Sequence, residues 1–248
     1  MRQHRKLAAR VFKLFRLLPV PAWRRGLRRG VAATVEHDQV TFASDFRGVL
    51  DVGAHRGQFA LFVLHRFPGV RLYCFEPLSD AGATLGSVLA DYPEARIFPV
   101  ALGSRTGQAT MHVARRDDSS SLLPPTERQT EAFPGTEEAT QTTVEMTCLD
   151  DILTGADPLP RPCLLKIDVQ GNELEVLRGA VATLDLVDEV LVECSFAELY
   201  SGQARADEVV AFLGSRDFGL AGVFSITSDS LGRQLQGDFL FARSSGSR

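Results

Sequence analysis

From residue 48 onward the chain alternates between two hydrophobic rhythms. The runs "GVLDVG", "VRLYCFEP", "ARIFPVALG", "PCLLKIDV" and "DEVLVECSF" are short and rich in branched and aromatic residues, so they read as strands. Residues 57–67, 79–91, roughly 171–184 and 204–215 carry apolar positions at helical spacing. The short run "ATMHVA" at 109–114, a strand in "TVEMTCLDDIL" and a closing pair, "GLAGVFSI" and "GDFLFAR", complete the set. Strands alternating with helices of this length predict an α/β fold, with a twisted and mostly parallel sheet and helices on both faces. Residues 115–142 break the rhythm. They are polar, rich in Pro, Ser and Thr, and too long for an ordinary connection, which predicts either disorder or a lid over a site.

Charge divides the chain differently. Ten of its 27 Lys and Arg residues lie in the first thirty positions, and the first acid is Glu36. The body is acidic and the arm is basic. In "HRKLAARVFKLFRLLPV", Leu7, Val11, Leu14, Phe15 and Leu18 follow helical spacing with basic residues opposite. That pattern leaves two readings: a helix docked on its own acidic body, or an interfacial helix making peripheral contact with an anionic membrane. Nothing later repeats the basic pattern, so nucleic acid is not an expected partner. Lys13 and Arg16 interrupt what would be the core of a signal peptide, and no apolar run reaches the roughly 18 residues of a membrane span. Cys74, Cys148, Cys163 and Cys194 sit in or beside strand-like segments without CxxC spacing, the usage of reduced thiols in a cytoplasmic protein. The expected organisation is a basic helical extension over 1–35, one domain over 36–243 and a frayed tail at 244–248.

Candidate chemistry gathers at predicted strand ends, where parallel sheets bind ligands. "VLDVGAHRGQF" runs a strand through Asp51 into Gly53 and Gly57 and then into a helix. Gly53 permits close ligand approach and Gly57 a tight helix start. Asp51 stands where a dinucleotide fingerprint has its first glycine, and a carboxylate there repels pyrophosphate but suits an ammonium. Glu76, ending the next strand before Pro77, is placed to accept hydrogen bonds from two ribose hydroxyls. Together they point to S-adenosylmethionine. Ala54 and His55 complete the turn, and Ala101 and Leu102 are expected to flank an adenine. Lys166 and Asp168, in "KIDVQGNE", interrupt an apolar run where a strand opens into the site, and Glu193 does so in "LVECSF".

These residues resemble the FkbM-type S-adenosylmethionine-dependent methyltransferases. The resemblance rests on "LDVGAHRGQFAL", "FEP", "VALGSRTGQATMHV", "DDSSSLLP", "LLKIDVQGNELEVLRGA", "LVECSF" and "DFLFAR", covering about 36–243. Glu36-His37 and "ELY" at 198–200 match a polysaccharide-associated branch. The resemblance implies a Rossmann-like class I methyltransferase with a seven-stranded sheet and an antiparallel C-terminal strand. It also implies O-methylation of a glycan hydroxyl, with a small-molecule natural product as the alternative acceptor. A non-catalytic binding protein on the same fold is the rival from another class. His55 departs from a commoner Asn, and Gln170 from a commoner Glu, which weakens any metal site at 168–170. No ligand spacing demands a metal. Methyl transfer to oxygen calls for a base. Asp168 is the first choice, with Glu193 and His37 as alternatives. Asp118, Ser119, Ser120, Ser121, Lys166 and Tyr200 are the expected acceptor contacts.

Overall fold

The computed structural model describes residues 15–154 and 158–244. Most of the predicted basic amphipathic helix, and all of the tail beyond Ser244, lie outside that range. Ten strands are present among the described residues: β1 (Gly48–Val52), β2 (Arg71–Phe75), β3 (Ala95–Phe98), β4 (Ala101–Leu102), β5 (Gly107–Ala114), β6 (Glu138–Thr147), β7 (Cys163–Ile167), β8 (Glu189–Ser195), β9 (Phe218–Ser228) and β10 (Gln234–Arg243). Seven of them form one sheet in the order β3-β2-β1-β7-β8-β10-β9. All pairings are parallel except those of β10, which runs antiparallel to both neighbours. The seven-stranded, mostly parallel sheet with an antiparallel C-terminal strand is therefore as the sequence predicted.

Side chains alternate between two apolar layers, as strand geometry requires. Leu50, Val52, Leu165, Ile167, Val190 and Val192 face one layer, and Val49, Leu72, Cys74, Leu164 and Leu191 the other. The helices are α1 (Pro21–Arg28), α2 (Gln58–Arg66), α3 (Ser79–Leu89), α4 (Glu127–Ala132), α5 (Leu149–Leu153), α6 (Glu173–Arg178), α7 (Val181–Leu184) and α8 (Ala206–Gly214). Helices α6 to α8 cover the first layer, and α2 and α3 the second. One long helix was expected over 171–184. Instead it breaks at Gly179, whose Cβ position would lie 2.0 Å from the Gly103 carbonyl oxygen. The third predicted strand also divides at Pro99, with β3 joining the main sheet and β4 a small one.

Of the two readings of 115–142, disorder is ruled out: the segment is ordered and its end joins the small sheet β4-β6-β5. Strand β6 begins at Glu138 and pairs antiparallel with β5. Between them lie a 3-10 turn at Asp117–Ser119 and α4, whose N-cap Thr126 accepts the Gln129 amide at 3.3 Å. Bridges His112–Ser121 and Pro125–Tyr200 tie the segment to the body. Its sequence hides the strand because residues 138–143 are exposed on both faces.

The extension is part of the core over its described length. Leu17, Trp23, Val31 and Val35 are buried against α2, and Trp23 Nε1 donates to the Leu61 carbonyl at 2.9 Å. Truncating Trp23 removes this packing, so Trp23→Ala should cost about 3–5 kcal/mol in urea unfolding. A loss below about 1 kcal/mol would show that the arm is a detachable appendage.

Candidate active site

The topological switch point falls between β1 and β7, where the strand order reverses. Two cavities open there, of about 500 and 250 Å³. They share Thr34, Glu36, His37, Lys166 and Asp168 along their common border.

The larger cavity is built on the glycine turn. Gly53 has φ +79°, and a Cβ there would lie 1.9 Å from the Asp168 carbonyl oxygen, so the β1 and β7 ends approach as closely as backbone allows. The Gly53 and Ala54 amides both donate to the Phe75 carbonyl at 3.1 Å. His55, also at positive φ, donates its backbone N–H to Glu76 Oε2 at 2.9 Å, and Leu78 donates to Oε1 at 2.8 Å. Two backbone donors thus fix the Glu76 carboxylate, and each oxygen keeps one lone pair for a ligand. Burial raises the Glu76 carboxyl to about 7, against the lowering effect of those two amides. Pro77, Ala101 and Leu102 line the wall as expected. Leu78 from the start of α3, Met111 from β5 and Leu122 from the segment after β5 join them.

Two members of the predicted turn do not reach the cavity. Asp51 was expected to meet a ligand's ammonium. It is a strand-interior residue with 0% exposure, register partner of Lys166 on β7, and its Oδ1 lies 3.1 Å from Lys166 Nζ. The cation that answers Asp51 is the protein's own. Gly57 starts α2 and packs against Leu85, so its role is local.

Lys166 in turn donates to the Gly53 carbonyl at 3.2 Å and lies 3.7 Å from Asp168 Oδ2, with Phe59 beneath it at 5.5 Å. Burial opposes its charge, but Asp51 and Asp168 outweigh that and hold the ammonium above the ordinary lysine value. Its hydrogen bonds are committed within the protein.

The smaller cavity gathers the three predicted bases. Asp168, Glu193 and His37 all line it, the last delivered by a 3-10 turn at Val35–Gln39 that folds the chain across the site. Gln170, at φ +57°, donates Nε2 to Asp168 Oδ1 at 2.8 Å and to Glu193 Oε2 at 3.0 Å. Gln236 Nε2 donates to Glu193 Oε1 at 2.6 Å. Glu193 and Asp238 are direct register partners on β8 and β10. Burial first, then the charges of Asp168 and Asp238, push Glu193 well above the carboxylate range. Asp238, Ser225 and Thr227 also line this cavity. Asp238 opens the "DFLFAR" match without being marked as a site residue, and no motif marked Ser225 or Thr227, because antiparallel pairing brings them in from the C-terminal strands.

The predicted acceptor contacts divide. Asp118 and Ser120 line the larger cavity. Ser119, Ser121 and Tyr200 are buried and line neither. Ser121 Oγ donates to the Gln170 carbonyl at 2.6 Å, and the Tyr200 hydroxyl lies 2.9 Å from both the Ser119 carbonyl and Gln170 Oε1. These three stitch the 115–133 segment to Gln170. At its other end, Asp117 pairs with Arg56 and lies 3.3 Å from His55 Nε2, so the segment is also fastened to the glycine turn.

The sequence matches the Methyltransferase FkbM domain over residues 51–220. The chain belongs to this family. It is an S-adenosylmethionine-dependent methyltransferase. Among relatives of this FkbM methyltransferase, the 2-O-methyltransferase NoeI of Sinorhizobium fredii (strain NBRC 101917 / NGR234) is 29% identical over 203 residues, covering 77% of this chain and 81% of that protein. Methyltransferase sdnD of Sordaria araneosa is 29% identical over 171 residues, 58% of this chain and 65% of its own. Among solved structures, Aeropyrum pernix fibrillarin with natively bound S-adenosyl-L-methionine covers 89% of this chain and 76% of its own, at TM-score 0.48 and 12% identity. Magnesium protoporphyrin IX methyltransferase (ChlM) from Synechocystis PCC 6803 covers 79% and 69%, at TM-score 0.44 and 12% identity.

The FkbM methyltransferase's own residues fit the cofactor. Glu76 has the two free lone pairs that a ribose diol requires, Gly53 lets the β1 turn close against the β7 end at the cavity wall, and Ala101, Leu102 and Leu78 form an apolar wall for a purine. An ionised Glu76 accepts from both ribose hydroxyls at once, and protonation takes up one of its acceptor sites. The affinity for S-adenosylhomocysteine should therefore rise between about pH 6 and 8, with a slope approaching tenfold per unit below the Glu76 pKa. Glu76→Gln should bind more weakly and without that slope in calorimetric titration. A pH-independent wild type would remove Glu76 from the cofactor contact.

Proposed function

We propose that this enzyme methylates a hydroxyl of a sugar in a bacterial polysaccharide, a glycolipid or one of their precursors. The observation that carries the reading is the Asp168–Gln170–Glu193 array at the switch point, where an oriented carboxylate meets a polar cavity. The relative described as a 2-O-methyltransferase supports transfer to oxygen.

S-adenosylmethionine supplies an electrophilic methyl group on a sulfonium. The protein has to hold the acceptor oxygen in line with it and remove the hydroxyl proton. Asp168 is the base in this reading. Its carboxylate is 39% exposed and therefore reachable, and Gln170 and Lys166 each engage one of its oxygens. Glu193, whose ionisation burial disfavours, serves as a hydrogen-bonding wall. Asp168→Asn keeps the shape and removes the basicity, so it should lower kcat about 10²–10⁴-fold while leaving the affinity for S-adenosylhomocysteine within about threefold. Unchanged turnover would transfer the role to His37.

The same reading places the enzyme in the cytoplasm, against the inner face of the membrane. No described helix is long and apolar enough to cross a membrane. Phe15 and Leu18 are 72% and 48% exposed beside exposed Arg16 and Arg24, a combination that suits insertion at an anionic surface. Phosphatidylglycerol vesicles should sediment the wild-type protein, and Phe15→Glu with Leu18→Glu should abolish the association. Equal sedimentation of both proteins would leave the arm as a docked helix only.

A further inference from the structure

We infer that the 250 Å³ cavity is the seat of the acceptor's sugar ring, that the C-terminal strands read this ring, and that the ring bears no acidic group. The inference rests on the reading of the enzyme as a sugar O-methyltransferase. It relocates the acceptor from Ser119, Ser121 and Tyr200, which are buried, to Ser225, Thr227 and Asp238.

Three observations carry it. The first is size. The cavity is smaller than the roughly 300–1,000 Å³ of a drug-sized ligand site, which suits a single ring and leaves any linked chain outside. The second is composition. Its lining is mostly hydroxyl and carboxylate side chains, with Ile167 and Leu191 the apolar contributors. Hydroxyls and carboxylates are the partners a polyol saturates, since each ring hydroxyl both donates and accepts. The third is an open gap between two polar groups. His37 Nε2 and Asp238 Oδ2 stand 3.7 Å apart, too far for a direct hydrogen bond and near enough for one hydroxyl oxygen to bridge them. Phe59 holds the His37 ring edge-on at 5.0 Å, and Gln39 Nε2 donates to Ser225 Oγ at 3.0 Å, so both sides of the cavity are fixed.

Charge decides the class of ring. Asp168, Glu193 and Asp238 line the cavity, with Lys166 already committed to Asp51 and the His37 imidazole facing Asp238. A carboxylate or phosphate on the ring would meet Asp168 and Asp238 with Lys166 already committed to Asp51, and like charges in a confined site are strongly disfavoured. Uronic acids and sugar phosphates are thereby excluded. If the acceptor is nucleotide- or lipid-linked, its pyrophosphate lies outside.

The test is saturation-transfer NMR on the complex with S-adenosylhomocysteine, using methyl glycosides of galactose, fucose, rhamnose and glucuronic acid. At least one neutral glycoside should bind, and the glucuronide should not. Thr227→Phe, which fills the cavity, and Asp238→Asn, which keeps its shape, should each weaken that binding at least about tenfold. Both should retain wild-type affinity for S-adenosylhomocysteine, which reports the fold. Neutral binding that survives both substitutions would overturn the location and leave the sugar reading intact. A glucuronide that binds as well as its neutral counterparts would overturn the charge assignment. If no glycoside binds the wild-type complex, the sugar reading itself falls and this inference falls with it.

Discussion

The site depends on one buried ammonium. Asp51 and Lys166 face each other in register on adjacent parallel strands, so their side chains meet on the same face of the sheet. Burying the two ions costs several kcal/mol each unless other partners compensate. Here they do: Lys166 also binds the Gly53 carbonyl, approaches Asp168 and sits over Phe59. One charge therefore references the glycine turn, the β7 tip and the first residue of α2's buried face to a single point. An apolar pair at 51 and 166 would supply burial, but it would leave the Gly53 carbonyl and the Asp168 carboxylate without a common anchor. The ion pair contributes geometry more than stability.

A second junction lies one turn away. The Gln170 amide offers two donors and one acceptor at the end of one side chain, and all are used: Asp168 and Glu193 take the donors, and Tyr200 meets the acceptor. A glutamate at this position would place three carboxylates together, a group that ionises fully only with a cation or proton between them. The amide replaces that requirement with neutral hydrogen bonds. Because Ser121 and Tyr200 also meet Gln170, the 115–133 segment and the two carboxylates are ordered by the same residue. Gln129 extends the link by donating to the Tyr200 hydroxyl at 3.1 Å, so α4 belongs to the same network. The 115–133 segment and the two carboxylates are mechanically one unit.

Which parts were legible follows from how local the signal is. The βα rhythm, the glycine turn, Glu76 and Asp168 were readable because each is set by a run of a few adjacent residues. Asp51 was misplaced because motif spacing does not tell a strand tip from a strand interior. Its register with Lys166 puts it in the sheet, while Asp168 lies beyond the end of β7. Strand β6 escaped because its first six residues are exposed and carry no apolar alternation. His37 was recognisable as a candidate but not as a neighbour of Asp238, since 200 intervening residues separate them and only the antiparallel closure of β10 joins them. Asp238, Ser225 and Thr227 share that reason. Residues whose partners lie across the sheet leave no periodic trace.

The two cavities differ in polarity, and the difference constrains how the site can accelerate transfer. Beyond their shared border, the larger adds Glu76, fixed by two amides, with Asp117, Asp118 and an apolar wall of Leu78, Ala101 and Leu102; the smaller adds Glu193 and Asp238 around a committed lysine. A surplus of negative charge binds a cationic reactant more tightly than the neutral thioether it becomes. That preference favours loading and product release, but it does not lower the barrier, because the positive charge is already diminishing in the transition state. Rate enhancement must come from what gains strength along the reaction: the alignment of the hydroxyl and the proton acceptor waiting for it. Asp168 is the group at this border whose position is set from both sides, by Lys166 on one oxygen and Gln170 on the other. On the proposed reading, the acidic surroundings select the reactants and the doubly held carboxylate takes the proton.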